Sequence, residues 1–147
     1  MITNYEIARK LYSNAQTAYI KADVENSSPV DLVIKLYDGA ITYLSSAIRD
    51  INGGKINNNN YIRKGIAIID ELLQSLNIKE GGEIASSLQD LYLYMLIELT
   101  KANMSSDAAR IEHALKILIN LKEGWTQIRE GEFRRNAHSI NTLTLQA

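Results

Sequence analysis

The sequence predicts an all-α fold: an antiparallel up-down four-helix bundle with a short N-terminal helical segment packing on it. Three observations predict it. Apolar residues recur at three- and four-residue spacing through long stretches, the period of a helix face rather than of a strand. A single proline stands in the 147 residues, whereas sheet-rich domains spend several prolines and glycines on turns. The glycines and asparagines are clustered instead, at Gly53-Gly54, Asn57 to Asn60 and Gly81-Gly82, and cut the chain into long uninterrupted segments. Four such segments joined by short loops pack as antiparallel neighbours. The expected organisation is an arm over residues 1–28, the bundle over 29–130, and a polar, flexible tail over 131–147.

The arm carries Leu11, Ala15, Ala18 and Tyr19 on one face, enough for a short helix. The first long helix starts at Ser27-Ser28-Pro29-Val30-Asp31. Ser28 is placed to accept a hydrogen bond from a free amide as N-cap, and Pro29 follows with its φ preset and no amide to orphan. Asp31 puts negative charge at the positive end of the helix dipole. The helix should end near Asn52, with Gly53 taking the left-handed conformation after it. The second helix is expected from about Asn60 to Asn77, on the apolar set Ile62, Ile66, Ile69, Leu72, Leu73 and Leu76. The third is expected from about Glu83 to Met104. The fourth starts at Ser106-Asp107 and carries Ile111, Ala114, Leu115, Leu118, Leu121, Trp125 and Ile128. Beyond it no strong period remains, hence the expected tail.

Composition and charge exclude several functions. Hydrophobic residues make up 46% and charged residues 22% of the chain, with a net charge of −1. That balance carries no footprint for nucleic acid or for an anionic membrane. No apolar run reaches the ~20 residues of a membrane span, and the N-terminus lacks the basic flank and apolar stretch of a secretory signal. The expected compartment is the cytosol. With no cysteine there is no disulfide, thiolate metal site or cysteine nucleophile. His113 is expected on the polar side of its helix and His138 in the tail. No Glu-x-x-His pair supplies the ligand set of a di-iron bundle. No glycine pair opens a phosphate loop. No serine sits in a nucleophile elbow. No catalytic residue, cofactor, metal or small-molecule substrate is therefore expected.

What the sequence has in excess is apolar surface. On the first long helix, Val33, Leu36, Ala40, Ala47 and Ile51 form one stripe, and Val30, Ile34, Tyr37, Ile41, Leu44 and Ile48 form a second beside it. Together they cover roughly 200°, twice what a surface helix needs. The third helix has a main stripe at Ile84, Leu88, Leu91, Tyr92, Met95 and Leu99, and carries Leu93, Ile97 and Met104 on nearly the opposite side. Contact with two bundle neighbours accounts for part of this surplus. The rest either lies under the N-terminal arm or forms a groove for an amphipathic or extended partner segment, and both hold if the arm is a removable cover.

A family resemblance gives that partner a class. Ala18-Tyr19, Ser27-Ser28-Pro29-Val30-Asp31-Leu32-Val33 and Leu36-Tyr37-Asp38-Gly39-Ala40 resemble the opening of the flagellar export chaperones specific for flagellin. The similarity continues through Ile68-Ile69-Asp70-Glu71-Leu72, Gly81-Gly82-Glu83-Ile84-Ala85, Leu91-Tyr92-Leu93-Tyr94-Met95 and Ala102-Asn103, to Leu121 and Trp125. Asn14-Ala15-Gln16 departs from the family's Asn-Pro-aromatic start, and extra residues precede it. The resemblance implies a bundle that binds the disordered C-terminal segment of flagellin in apolar grooves. It implies that the bundle keeps flagellin from polymerising in the cytosol and presents it to the flagellar export gate. Expected groove residues are Leu36, Tyr37, Ala40 and Leu44 on the first helix and Leu93, Ile97 and Met104 on the third. Tyr19 matches a family tyrosine that covers the groove and docks at the gate. The same grooves would also serve an adaptor for another partner, a regulator or a non-flagellin cargo.

Overall fold

The computed structural model describes the backbone of residues 29–55 and 60–146 and the side chains of residues 29–55 and 60–131. The expected arm over residues 1–28, with Tyr19, lies outside the described residues. The described chain forms α1 (Pro29–Asn52), α2 (Asn60–Ser75), α3 (Ile78–Ser105) and α4 (Ala108–Gln146). Cross-helix contacts fix their directions. On α1 and α2, Gly39 approaches Ile68 while Leu44 meets Gly65. Between α1 and α4, Asp38 pairs with Lys122 and Asp31 with Arg129. Between α3 and α4, Glu98 pairs with Arg110 at 2.9 Å and Tyr94 meets His113. In each case rising numbers on one helix meet falling numbers on the other, so neighbours are antiparallel. α1 packs on α2 and α4, α3 packs on the same two, and α1 and α3 stand diagonally across the core.

Local chemistry sets the helix ends. α1 closes in a Schellman turn, with the Gly54 amide donating to Ile51 O at 3.0 Å and the Lys55 amide to Asp50 O at 2.8 Å. Gly54 takes the left-handed conformation, with φ of 88°, one residue later than the sequence suggests. α2 stops at Ser75 rather than Asn77, because Asn77 serves the next helix: its Oδ1 accepts from the Glu80 amide at 3.1 Å. That cap starts α3 at Ile78. Gly82 then leaves helical geometry (φ 58°, ψ −136°), so the main run of α3 begins at Glu83, after the Gly81-Gly82 pair as the sequence suggests. Between α3 and α4, Ser106 turns left-handed and Asp107 caps the amides of Ala109 and Arg110 at 3.1 and 3.4 Å.

The expected tail is a difference. The backbone of α4 stays helical to Gln146. Loss of apolar period removes a packing signal, but after Gly131 no glycine or proline stops the helix. The pairing of Asp31 with Arg129 brings α4 level with the start of α1 near residue 131. The last turns therefore continue beyond the bundle for ~22 Å.

The core is one cluster drawn from all four helices, including Val33, Tyr37 and Leu44, Ile62, Ile69 and Leu72, Tyr92, Met95 and Leu99, and Ile111, Leu118 and Trp125. Ile84, expected on the core stripe of the third helix, is exposed beside the break at Gly82, and Ala85 is buried there. At the centre the hydroxyls of Tyr37 and Tyr92, both fully buried, hydrogen-bond across the diagonal. Removing either hydroxyl forfeits this buried hydrogen bond. Tyr37→Phe is therefore expected to destabilise the fold by about 1–2 kcal/mol, and the Tyr37→Phe/Tyr92→Phe pair by less than the sum of the singles. Urea unfolding of the three variants checks this.

Candidate functional site

Among the described residues, two apolar surfaces stand on the outside of the core. The first is the outer face of α3. Leu93, Ile97 and Met104 lie within about 40° of one line along the helix, and their exposures are 44%, 55% and 84%. The residues that face inward from α3, among them Leu88, Tyr92, Met95 and Leu99, sit about 150° away around the helix. Their burial directs the stripe away from the bundle. Thr100 falls on the same line, and its hydroxyl bonds back to Leu96 O at 2.7 Å. The polar atom is thus spent on its own helix. Beside the stripe, Tyr94 packs edge-on against His113 of α4, with ring centroids 5.6 Å apart, and its hydroxyl lies 3.2 Å from Nδ1. That contact closes the α3–α4 edge and bounds the stripe on one side.

The second surface is a groove of 580 Å³ between α1 and α2. Small residues make it. Gly39 brings α2 so close that an added Cβ would stand 3.0 Å from Ile68, and Thr42 and Ala67 leave the space beside it unfilled. Leu36 and Ile68 form apolar walls, and Tyr43 and Lys64 form one end. There the Tyr43 and Tyr61 rings stack at 6.3 Å, and the Lys64 ammonium lies 5.4 Å from the Tyr43 ring centre. Asp38 and Glu71 also border the groove.

The expected binding residues divide between these surfaces and the core. Leu93, Ile97 and Met104 are brought together on one open face. Tyr37, Ala40 and Leu44 are fully buried, and Leu36, only 5% exposed, reaches the wall of the groove. The apolar surplus of α1 has a packing reason. The helix touches two neighbours along its length and faces a third across the diagonal, so most of its circumference is interior. Sequence reasoning missed Gly39, Thr42, Tyr43, Lys64, Ala67 and Glu71 as a set. A groove made by absent side chains leaves no apolar period to detect. The one available signal was the small residues Gly39 and Ala40, and Gly65 and Ala67, on helices expected to be neighbours.

Among the described residues no three His, Asp or Glu side chains converge as a metal set, and no helix is long and apolar enough to cross a membrane. The two surfaces lie on different sides of the bundle, so a partner that uses both has to wrap it.

Comparison with known proteins agrees in kind. The family model described as flagellar protein FliS matches residues 12–132. The flagellar secretion chaperone FliS of Salmonella typhimurium is 38% identical over 117 residues, covering 76% of this chain and 87% of the relative. FliSB of Pseudomonas aeruginosa, also a flagellar secretion chaperone, is 32% identical over 122 residues, covering 82% and 97%. The Bacillus subtilis FliS is 28% identical over 126 residues, covering 85% and 92%. A four-helix bundle with matches over most of its length to both the family model and these relatives belongs to the FliS family, a family of flagellar secretion chaperones and not of enzymes.

Proposed function

We propose that this chain holds the disordered C-terminal segment of flagellin on its two apolar surfaces. Held there, flagellin does not polymerise before export and is handed to the flagellar export gate. The observation that carries the reading is the open Leu93–Ile97–Met104 stripe. Three large apolar side chains on one line, at up to 84% exposure, leave a strip of apolar surface in contact with water that a partner removes. A segment disordered before binding suits two surfaces on different sides. It wraps them at modest affinity per unit area, and modest affinity permits release at the gate. Tyr19, in the N-terminal arm, is the proposed contact for the gate. A family of flagellar secretion chaperones supports the choice of a flagellar cargo.

Size-exclusion chromatography of the full chain with its cognate flagellin tests the reading. Full-length flagellin is expected to co-elute with the chaperone as a soluble complex, and flagellin lacking its C-terminal segment to elute alone. Equal capture of both would place the binding determinant elsewhere in the cargo.

A further inference from the structure

The groove between α1 and α2 contains a feature that an apolar surface does not need. Glu71 lines it, and the Oε1 atom of that side chain is buried without a hydrogen-bond partner. Glu71 as a whole is only partly buried, but this oxygen forgoes the hydrogen bonds that water or a donor would give it. The terminal torsion of a glutamate is broad and two-fold, so either oxygen turns into the groove easily. Seven residues earlier on the same helix face, Lys64 stands over the Tyr43 and Tyr61 rings, at 5.4 and 6.0 Å from their centres. The two charges are therefore ~10 Å apart along α2, with Gly39, Ala67 and Ile68 among the apolar and small residues lining the groove. Asp38 borders the groove too, but Lys122 of α4 pairs with it.

We propose that Glu71 is the polar anchor of this groove and accepts a charge-assisted hydrogen bond from a lysine or arginine of the bound flagellin segment. The inference rests on flagellin being the cargo, and names how one part of it is held. Charge complementarity selects a cation. Asp38 is taken up by Lys122 and the Lys64 ammonium is held over two aromatic rings, which leaves the Glu71 oxygen as the groove acceptor without a donor. Lys64 marks the other end for an acidic residue of the same segment. In an extended chain rising ~3.3 Å per residue, side chains that share a face stand two or four residues apart, at ~7 or ~13 Å, and these spacings bracket the ~10 Å between Lys64 and Glu71 along α2. The order of the two charges along the groove then fixes the direction in which the segment runs.

Titration calorimetry of the full-length chain with the C-terminal segment of the cognate flagellin tests the anchor, with Glu71→Gln and Glu71→Leu as variants. Gln keeps the size of the side chain and removes its charge. Leu removes the orphaned oxygen and makes the groove more apolar. The anchor predicts opposite effects on stability and binding. Glu71→Leu melts at or above the wild-type temperature, yet both variants bind the segment about tenfold more weakly or worse, and the wild-type affinity falls with added salt more steeply than either variant's. Unchanged or tighter binding by both variants overturns the anchor. Tighter binding is the expected result if residues 1–28 of the same chain, rather than the cargo, occupy the groove at Glu71. A wild-type chain that binds no flagellin segment overturns the cargo reading itself, and the wild-type titration alone distinguishes that failure from failure of the anchor.

Discussion

Ile97→Asp is expected to weaken binding of the flagellin segment by about a hundredfold, ~3 kcal/mol, without unfolding the chain. In the free protein Ile97 is 55% exposed, so an aspartate there stays hydrated. The change in stability should remain within about 0.5 kcal/mol, the usual range for a surface position. In the complex the same carboxylate is pressed against apolar cargo with no donor, and it loses its water. Calorimetry for affinity and circular dichroism for the fold separate the two effects. Leu36→Asp, which the sequence alone suggests as the equivalent probe, tests something else. Leu36 is buried between α1 and α2, so a charge there acts on folding before it acts on cargo.

The largest loss of stability is expected from Leu44→Ala, at about 2–5 kcal/mol. Leu44 is fully buried where α1 packs on α2, and a Cβ on Gly65 would meet Leu44 Cδ2 at 2.7 Å. Gly65 has no side chain to expand into the space vacated, so the site collapses poorly and a cavity remains. Urea unfolding of Leu44→Ala against wild type measures the loss. The double variant Leu44→Ala/Gly65→Ala should recover part of it, because the new methyl enters the emptied space. Gly65→Ala alone, with Leu44 intact, should destabilise, by crowding Leu44.

The order and type of the four helices were legible in the sequence because they rest on local signals: Pro29 after Ser28, the glycine clusters, and a helical apolar period between them. The end of the second helix and the start of the third shifted because one residue serves both. Asn77 reads as the tail of the second helix and acts as the cap of the third. The length of α4 was not legible. Its last turns lack an apolar stripe, and pattern reasoning equates absence of packing with absence of helix. The candidate site was half legible. Leu93, Ile97 and Met104 stand opposite a complete core stripe, so their exposure follows from the period of α3 alone. The surplus on α1 looked the same in sequence, yet Tyr37, Ala40 and Leu44 are buried, Tyr37 against Tyr92 across the diagonal and Leu44 against Gly65 of α2. Periodicity measures how much of a helix is apolar. It does not say how many neighbours that helix has. The groove at Gly39 was invisible for the complementary reason: it is built by two helices approaching over small residues.

The central claim is that open apolar surface on the bundle orders a disordered cargo segment. The most direct measurement is calorimetric titration of the wild-type chain with the C-terminal segment of its cognate flagellin at several temperatures. The account predicts saturable one-to-one binding with a clearly negative heat-capacity change and favourable enthalpy opposed by entropy, the signature of apolar burial coupled to ordering. Absence of binding by a chain whose circular dichroism shows an intact bundle, or binding with no heat-capacity change, would contradict it.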